Sequence, residues 1–179
     1  MSDFRNRIYK ICIVGDGGVG KTTLLHRYVD GKFVEDTKMT IGSNFFIKKV
    51  EIPEKNTSIT LQIWDLSGQE QFASIRTSFY LGAKGIIYTF DLSRYSTFNS
   101  LKDWKAELED VIGKQTSVLV GNKLDIIDPE DRDIKIEDGL FLKESLNASD
   151  YFETSAKKNI DVENMFYKLA LNILNSSKK

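Results

Sequence analysis

Residues 15–22 read Gly-Asp-Gly-Gly-Val-Gly-Lys-Thr and follow a short apolar run over residues 8–14. Glycine, four residues, then Gly-Lys-Thr between a strand and a helix is the pattern of a phosphate-cradling loop. Its glycines let the backbone close around a polyphosphate and adopt positive φ. The freed N–H groups and the N-terminus of the following helix form a concave anion site. The candidate ligand-binding residues here are Asp16, Gly17, Gly18, Val19, Gly20, Lys21, Thr22 and Thr23. Lys21 reaches the outer phosphates, and the Thr22 hydroxyl ligates Mg²⁺. The alternative is a glycine-rich turn that binds nothing. The preceding strand, the lysine and the threonine together speak against it.

Three further loops carry polar residues after apolar runs. Trp64-Asp65-Leu66-Ser67-Gly68-Gln69 ends one run. An acidic residue at a buried strand end beside a phosphate loop can hold Mg²⁺, usually through water, which makes Asp65 a metal candidate. Gly68 brings its N–H close to a terminal phosphate without side-chain obstruction. Gln69 is neutral and carries both donor and acceptor, which suits orienting a water better than deprotonating it. Asn122-Lys123-Leu124-Asp125 follows another run. The Asp125 carboxylate can accept two N–H donors, and among purines only guanine offers N1–H and a 2-amino group side by side. Lys123 can lay its stem over the base plane, and Asn122 can tie this loop to the phosphate loop. After the last run come Ser155, Ala156 and Lys157, whose backbone N–H groups can meet the guanine carbonyl. Each motif alone could be an ordinary polar loop. Their order and placement carry the weight.

The elements that must position these loops alternate. Strand candidates cover residues 8–14, 44–52, 58–64, 85–91, 117–120 and 151–153, the second and third joined by a hairpin through Pro53. Helix candidates cover 21–28, 101–112 and 136–146, with a last helix striped by Val162, Met165, Phe166, Leu169 and Ile173 and Asp161 as its N-cap. The pattern predicts an α/β fold: a six-stranded, mostly parallel, doubly wound sheet with one antiparallel edge strand and helices on both faces. Ligands in such sheets bind at the carboxyl ends of the strands, where all four loops fall.

The chain resembles small GTPases of the Ras superfamily, and most of all the Ras and Rab branches. Their motifs stand in order at residues 15–22, Thr40, 65–68, 122–125 and 155–157, and the likeness spans about residues 9–174. The resemblance implies that Thr40 binds Mg²⁺ and the terminal phosphate only when GTP is present. It implies that Phe33 covers the guanine, and that Lys21, Gly68 and Gln69 serve catalysis with Thr22, Thr40 and Asp65 around the metal. It implies switch segments over about residues 33–42 and 66–80, ordered by GTP and released on hydrolysis. An exchange factor, an activating protein and effectors would act on them. Leu66-Ser67 and Ile41-Gly42-Ser43-Asn44-Phe45 depart from usual Rab sequence, which weakens inference about partners more than about nucleotide.

The 179 residues bound the rest: one domain over 1–179, with short polar tails at 1–7 and 175–179. A net charge of -1 gives no basic field to attract nucleic acid. No apolar run is long enough to span a bilayer. A single cysteine, Cys12, fits a reducing cytoplasm. Ser2 stands where myristoylation needs glycine, and Lys178-Lys179 ends the chain without a prenylatable cysteine. This predicts a cytoplasmic monomer without a stable membrane anchor. No arginine falls at an obvious internal finger position, so intrinsic turnover should be slow. A nucleotide-locked binding module and a small-molecule kinase are the competing classes. Gln69 and Gly17 argue against the first, and the missing arginine-rich lid argues against the second.

Overall fold

The computed structural model describes residues 4–35 and 38–177. Asp36 and Thr37 in the expected first switch, and Lys178-Lys179, lie outside the described residues. Six strands form one sheet in the order β2-β3-β1-β4-β5-β6. They are β1 (Arg5–Val14), β2 (Ser43–Ile52), β3 (Thr57–Leu66), β4 (Gly85–Asp91), β5 (Thr116–Asn122) and β6 (Asp150–Glu153). Only β2 runs antiparallel, at the edge, against β3. Around the sheet lie α1 (Lys21–Asp30), α2 (Ala73–Tyr80), α3 (Tyr95–Asn99), α4 (Leu101–Ile112), α5 (Ile136–Leu146) and α6 (Val162–Ser176).

Side-chain alternation divides the core in two. β4 is buried along its whole length. Its residues Ile86, Tyr88 and Phe90 enter one cluster with Tyr80, Trp104, Leu108 and Leu142, while Ile87 enters the other with Leu24, Phe166 and Ile173. A strand covered on both faces must be apolar throughout, which is why the sequence shows a continuous run there.

Register then aligns the loops. Arg5 pairs with Thr57 and Ile13 with Asp65, so the phosphate loop leaves β1 beside the Asp65 carboxylate. Asp91 pairs with Asn122, at the start of the base loop. The β1–β3 ladder draws Arg5 to Arg7 into the sheet, so that part of the expected N-terminal tail is strand. Asp161 does stand at the N-cap of α6, but its backbone is left-handed (φ 55°) and its side chain makes no cap bond. A capping side chain needs extended backbone to turn back over the first turn; here the Asp161 carboxylate accepts from Asn164 instead. Helices α2 and α3 have no counterpart in the sequence reading.

Candidate functional site

Between β1 and α1 the chain turns at Gly20, whose φ of 94° is left-handed. A Cβ there would stand 2.4 Å from Asn122 Nδ2, so only glycine lets the two loops meet. They do meet: Asn122 Nδ2 donates to the Val19 carbonyl at 3.0 Å, and Thr154 Oγ1 donates to Asn122 Oδ1. Asn122 is thus the tie between base loop and phosphate loop that its place in sequence suggested. Lys21 is 6% exposed, and its ammonium donates to the Gly15 and Asp16 carbonyls at 2.6 and 2.9 Å. Burial pulls its pKa down to about 8, with the Asp65 and Asp16 charges acting in the opposite direction.

Thr22, Thr40 and Asp65 converge. Thr22 Oγ1 donates to Asp65 Oδ2 at 2.5 Å and lies 2.9 Å from Thr40 Oγ1, which is 3.3 Å from the same carboxylate oxygen. Asn44 Nδ2 adds a longer contact at 3.4 Å. The other oxygen, Asp65 Oδ1, is buried without a hydrogen-bond partner. Burial also pushes the Asp65 carboxyl above its ordinary range, with Thr22 and Lys21 partly offsetting it. A buried orphan carboxylate oxygen beside two hydroxyls is a hard oxygen donor set that fits Mg²⁺. No group of three His, Cys, Asp or Glu side chains among the described residues could hold an ion. A cation here would take its remaining ligands from phosphate and water, as Mg²⁺ ordinarily does.

At the other end stands the base loop. Ser155 Oγ donates to Asp125 Oδ1 at 2.6 Å and fixes that carboxylate's orientation. Lys123 carries a left-handed φ of 68°, and its ammonium sits 2.7 Å from the buried Asp91 carboxylate, which holds its stem in place. Arg27, on α1, anchors the third loop by donating to the Ala156 and Lys157 carbonyls. The Lys157 ammonium lies 6.0 Å from the Phe33 ring centroid. Sequence reading missed Arg27, Asn44 and Asp91, whose spacing carries no motif; their roles come from where the sheet brings them.

One cavity of about 280 Å³ joins the two ends. Every candidate residue lines it except Asp16, Val19, Asp65 and Ser155. Val19 is fully buried, and Ser155 and Asp65 act from behind the wall through Asp125 and Thr22. Asp16 can contribute to the cavity only through its backbone: its carboxylate turns outward, accepting from Ser100 Oγ and Trp104 Nε1 at 2.8 Å each. Only its backbone faces the phosphate loop's interior, as an acceptor for Lys21. A second negative charge aimed at a polyphosphate would repel it, and α4 supplies that charge with donors instead. Gly68 packs so closely that a Cβ would stand 2.3 Å from the Asp16 carbonyl carbon. The Gln69 side chain contacts Met39 Sδ and Gln71 Nε2. Arg94 does reach the phosphate loop, at the Gly17 carbonyl, but from outside the cavity and paired with Asp91.

Comparison with known proteins agrees with this geometry. Residues 10–175 match the Ras family. The chain is 36% identical over 184 residues to the GTP-binding protein YPTC5 of Chlamydomonas reinhardtii, covering 100% of this chain and 88% of that protein. It is 39% identical over 167 residues to the Ras-related protein RAB1BV of Beta vulgaris, covering 93% and 76%. Against the Ras-related protein Rab-12 of Mus musculus the identity is 40% over 166 residues, covering 92% and 67%. The chain belongs to the Ras family: it is a Rab-like small GTPase that binds GTP, hydrolyses it and changes state as it does so.

Proposed function

We propose a division of labour within the cavity, supported above all by its two ends: Lys21 with Thr22, Thr40 and Asp65 at one, Asn122 to Asp125 at the other. The Asp125 carboxylate reads the guanine N1–H and 2-amino donors, Lys123 and Phe33 flank the base, and backbone N–H groups of residues 156 and 157 meet its carbonyl; the Ser155 N–H, expected to join them, is donated to the Ile160 carbonyl instead. The phosphate-loop N–H groups and Lys21 hold the phosphates. Thr22 and Thr40 would hold Mg²⁺, with Asp65 orienting the set, and the ion would supply neutralisation of phosphate charge. Gln69 orients the attacking water and Gly68 brings its N–H to the terminal phosphate. Chemistry of this kind rests on positioning and electrostatics.

Thr40 couples nucleotide state to the first switch, because it joins the cation site only when drawn inward. Met39 and Ile41 on that segment are largely exposed, as are Phe45 and Ile75 nearby. Such surfaces suit an exchange factor, an activating protein and effectors in membrane traffic, met by a cytoplasmic monomer. No helix among the described residues is long and apolar enough to cross a membrane. The test is nucleotide competition. GTP and GDP should displace a fluorescent GDP, ATP should not, and EDTA should speed release. Asp125→Asn should weaken guanine nucleotides by several kcal/mol and improve xanthine nucleotides, whose 2-oxo group accepts from an amide. Equal displacement by ATP and GTP would sink the assignment.

A further inference from the structure

We propose that Arg76, on α2, is a positioning residue for hydrolysis: it holds the backbone on both sides of Gly68 and so sets where Gln69 stands. The inference rests on the reading of Gln69 as the residue that orients water. Arg76 is only 4% exposed. Its Nη1 donates to the Gln69 carbonyl at 2.8 Å and to the Ser67 carbonyl at 3.2 Å. Its Nε and Nη2 donate to the two Glu107 oxygens of α4, at 3.2 and 2.9 Å. The guanidinium carbon lies 4.3 Å from the centroid of the Trp104 ring. Tyr80 donates its hydroxyl to the same Glu107, and Trp104 Nε1 donates to Asp16 in the phosphate loop.

A buried cation is costly unless its donors are satisfied. Arg76 spends one edge of its fork on a carboxylate and the remaining nitrogen on two carbonyls. The first pairing alone would staple α2 to α4. The second serves no such purpose, because Ser67 and Gln69 lie in the loop between β3 and α2. That loop is gripped from two sides. Gly68 rests on the backbone of Asp16 and Gly17, and Arg76 takes the flanking carbonyls. The grip is referenced to the phosphate loop itself, through Trp104 and Asp16. Gln69 is therefore held against the same frame that holds the phosphates, as in-line attack requires. Lysine, with a point charge and no planar fork, cannot span a carboxylate and two carbonyls.

Single-turnover GTP hydrolysis and GDP dissociation are measured for the parent protein, Arg76→Ala, Arg76→Lys, Gln69→Leu and Arg76→Ala with Gln69→Leu. Arg76→Ala should slow hydrolysis by about tenfold or more, with GDP dissociation changed less than about threefold. Arg76→Lys should restore little of the rate, and it carries the same expectation if the alanine variant does not fold. The double variant should be no slower than Gln69→Leu, since both changes remove one function. Normal hydrolysis in both Arg76 variants beside a slow Gln69→Leu overturns the positioning role and leaves the Gln69 reading intact. Normal hydrolysis in Gln69→Leu overturns the Gln69 reading and, with it, this inference. A double variant slower than either single, or equal losses of rate and GDP retention, would show that Arg76 acts elsewhere.

Discussion

Asp65 shows how a single side chain can report the chemistry of the ligand its site would take. One of its oxygens gathers Thr22, Thr40 and Asn44, and the other is buried with nothing to accept from. Two threonine hydroxyls cannot neutralise a buried carboxylate; a divalent cation can. Thr22→Asn tests this at the residue scale. The amide is a poorer partner for both the ion and Asp65. On the proposed role of Thr40 as a ligand of the ion with GTP but not with GDP, GTP should suffer more than GDP, by about tenfold. Titrations of both nucleotides at several Mg²⁺ concentrations check it, and equal affinity with normal Mg²⁺ dependence refutes the ligand role of Thr22. Residues such as Lys21 and Asp125 were legible in the sequence because motif spacing and chemistry coincide. The side chain of Asp16 was not legible in the same way. The residue sits inside the motif, yet its side chain answers to Ser100 and Trp104, more than eighty residues away in sequence. Arg76 was invisible because arginine usually lies at the surface, and only the α2–α4 packing buries it.

At the scale of elements, β4 and α6 were the easiest to read. A continuous apolar strand and a striped helix each leave one solution for burial. α2 was not, since only Arg76 and Tyr80 of its eight residues are buried, and a buried arginine breaks the pattern. α3, at five residues, is too short to show a period. α6 places Phe166 against Tyr28 of α1, rings stacked with centroids 3.8 Å apart. That contact joins the helix leaving the phosphate loop to the one following the third base-contact loop. Phe166→Ala should cost about 3–5 kcal/mol of stability, read as a lower denaturant midpoint. Phe166 does not itself line the cavity, so the preference for guanine over adenine should survive in the folded fraction. A change in that preference would show that the α1–α6 contact shapes the base site as well as the core.

At the scale of the whole molecule, burial holds one thiol and several phenols in the protonated form. Burial pushes the Cys12 thiol up to about 12. It likewise raises the phenols of Tyr28, Tyr80, Tyr88 and Tyr151, those of Tyr80 and Tyr151 further through Glu107 and Glu153. Each group is neutral when protonated. The unfolded chain releases these protons at about pH 9 for the thiol and about pH 10 for the phenols, while the native state keeps them. The stability they contribute is therefore complete below about pH 9. It is lost as pH climbs toward the native values, by about 1.4 kcal/mol per pH unit for each group that ionises only on unfolding. Several such groups together rival the 5–15 kcal/mol that holds an ordinary domain folded. Between about pH 10 and 11 the protein should unfold cooperatively, with tyrosinate absorbance rising in step with the loss of helix signal. Phenolates that form while the helix signal persists would contradict the argument. Tyr28 sharpens it, because its hydroxyl is buried with no hydrogen-bond partner. Tyr28→Phe removes an unsatisfied polar atom and keeps the ring that stacks on Phe166. Stability at neutral pH should rise by about 1 kcal/mol, and the alkaline loss should become shallower by one group. A Tyr28→Phe variant less stable than the parent at neutral pH would mean that this hydroxyl finds a partner, most simply a buried water.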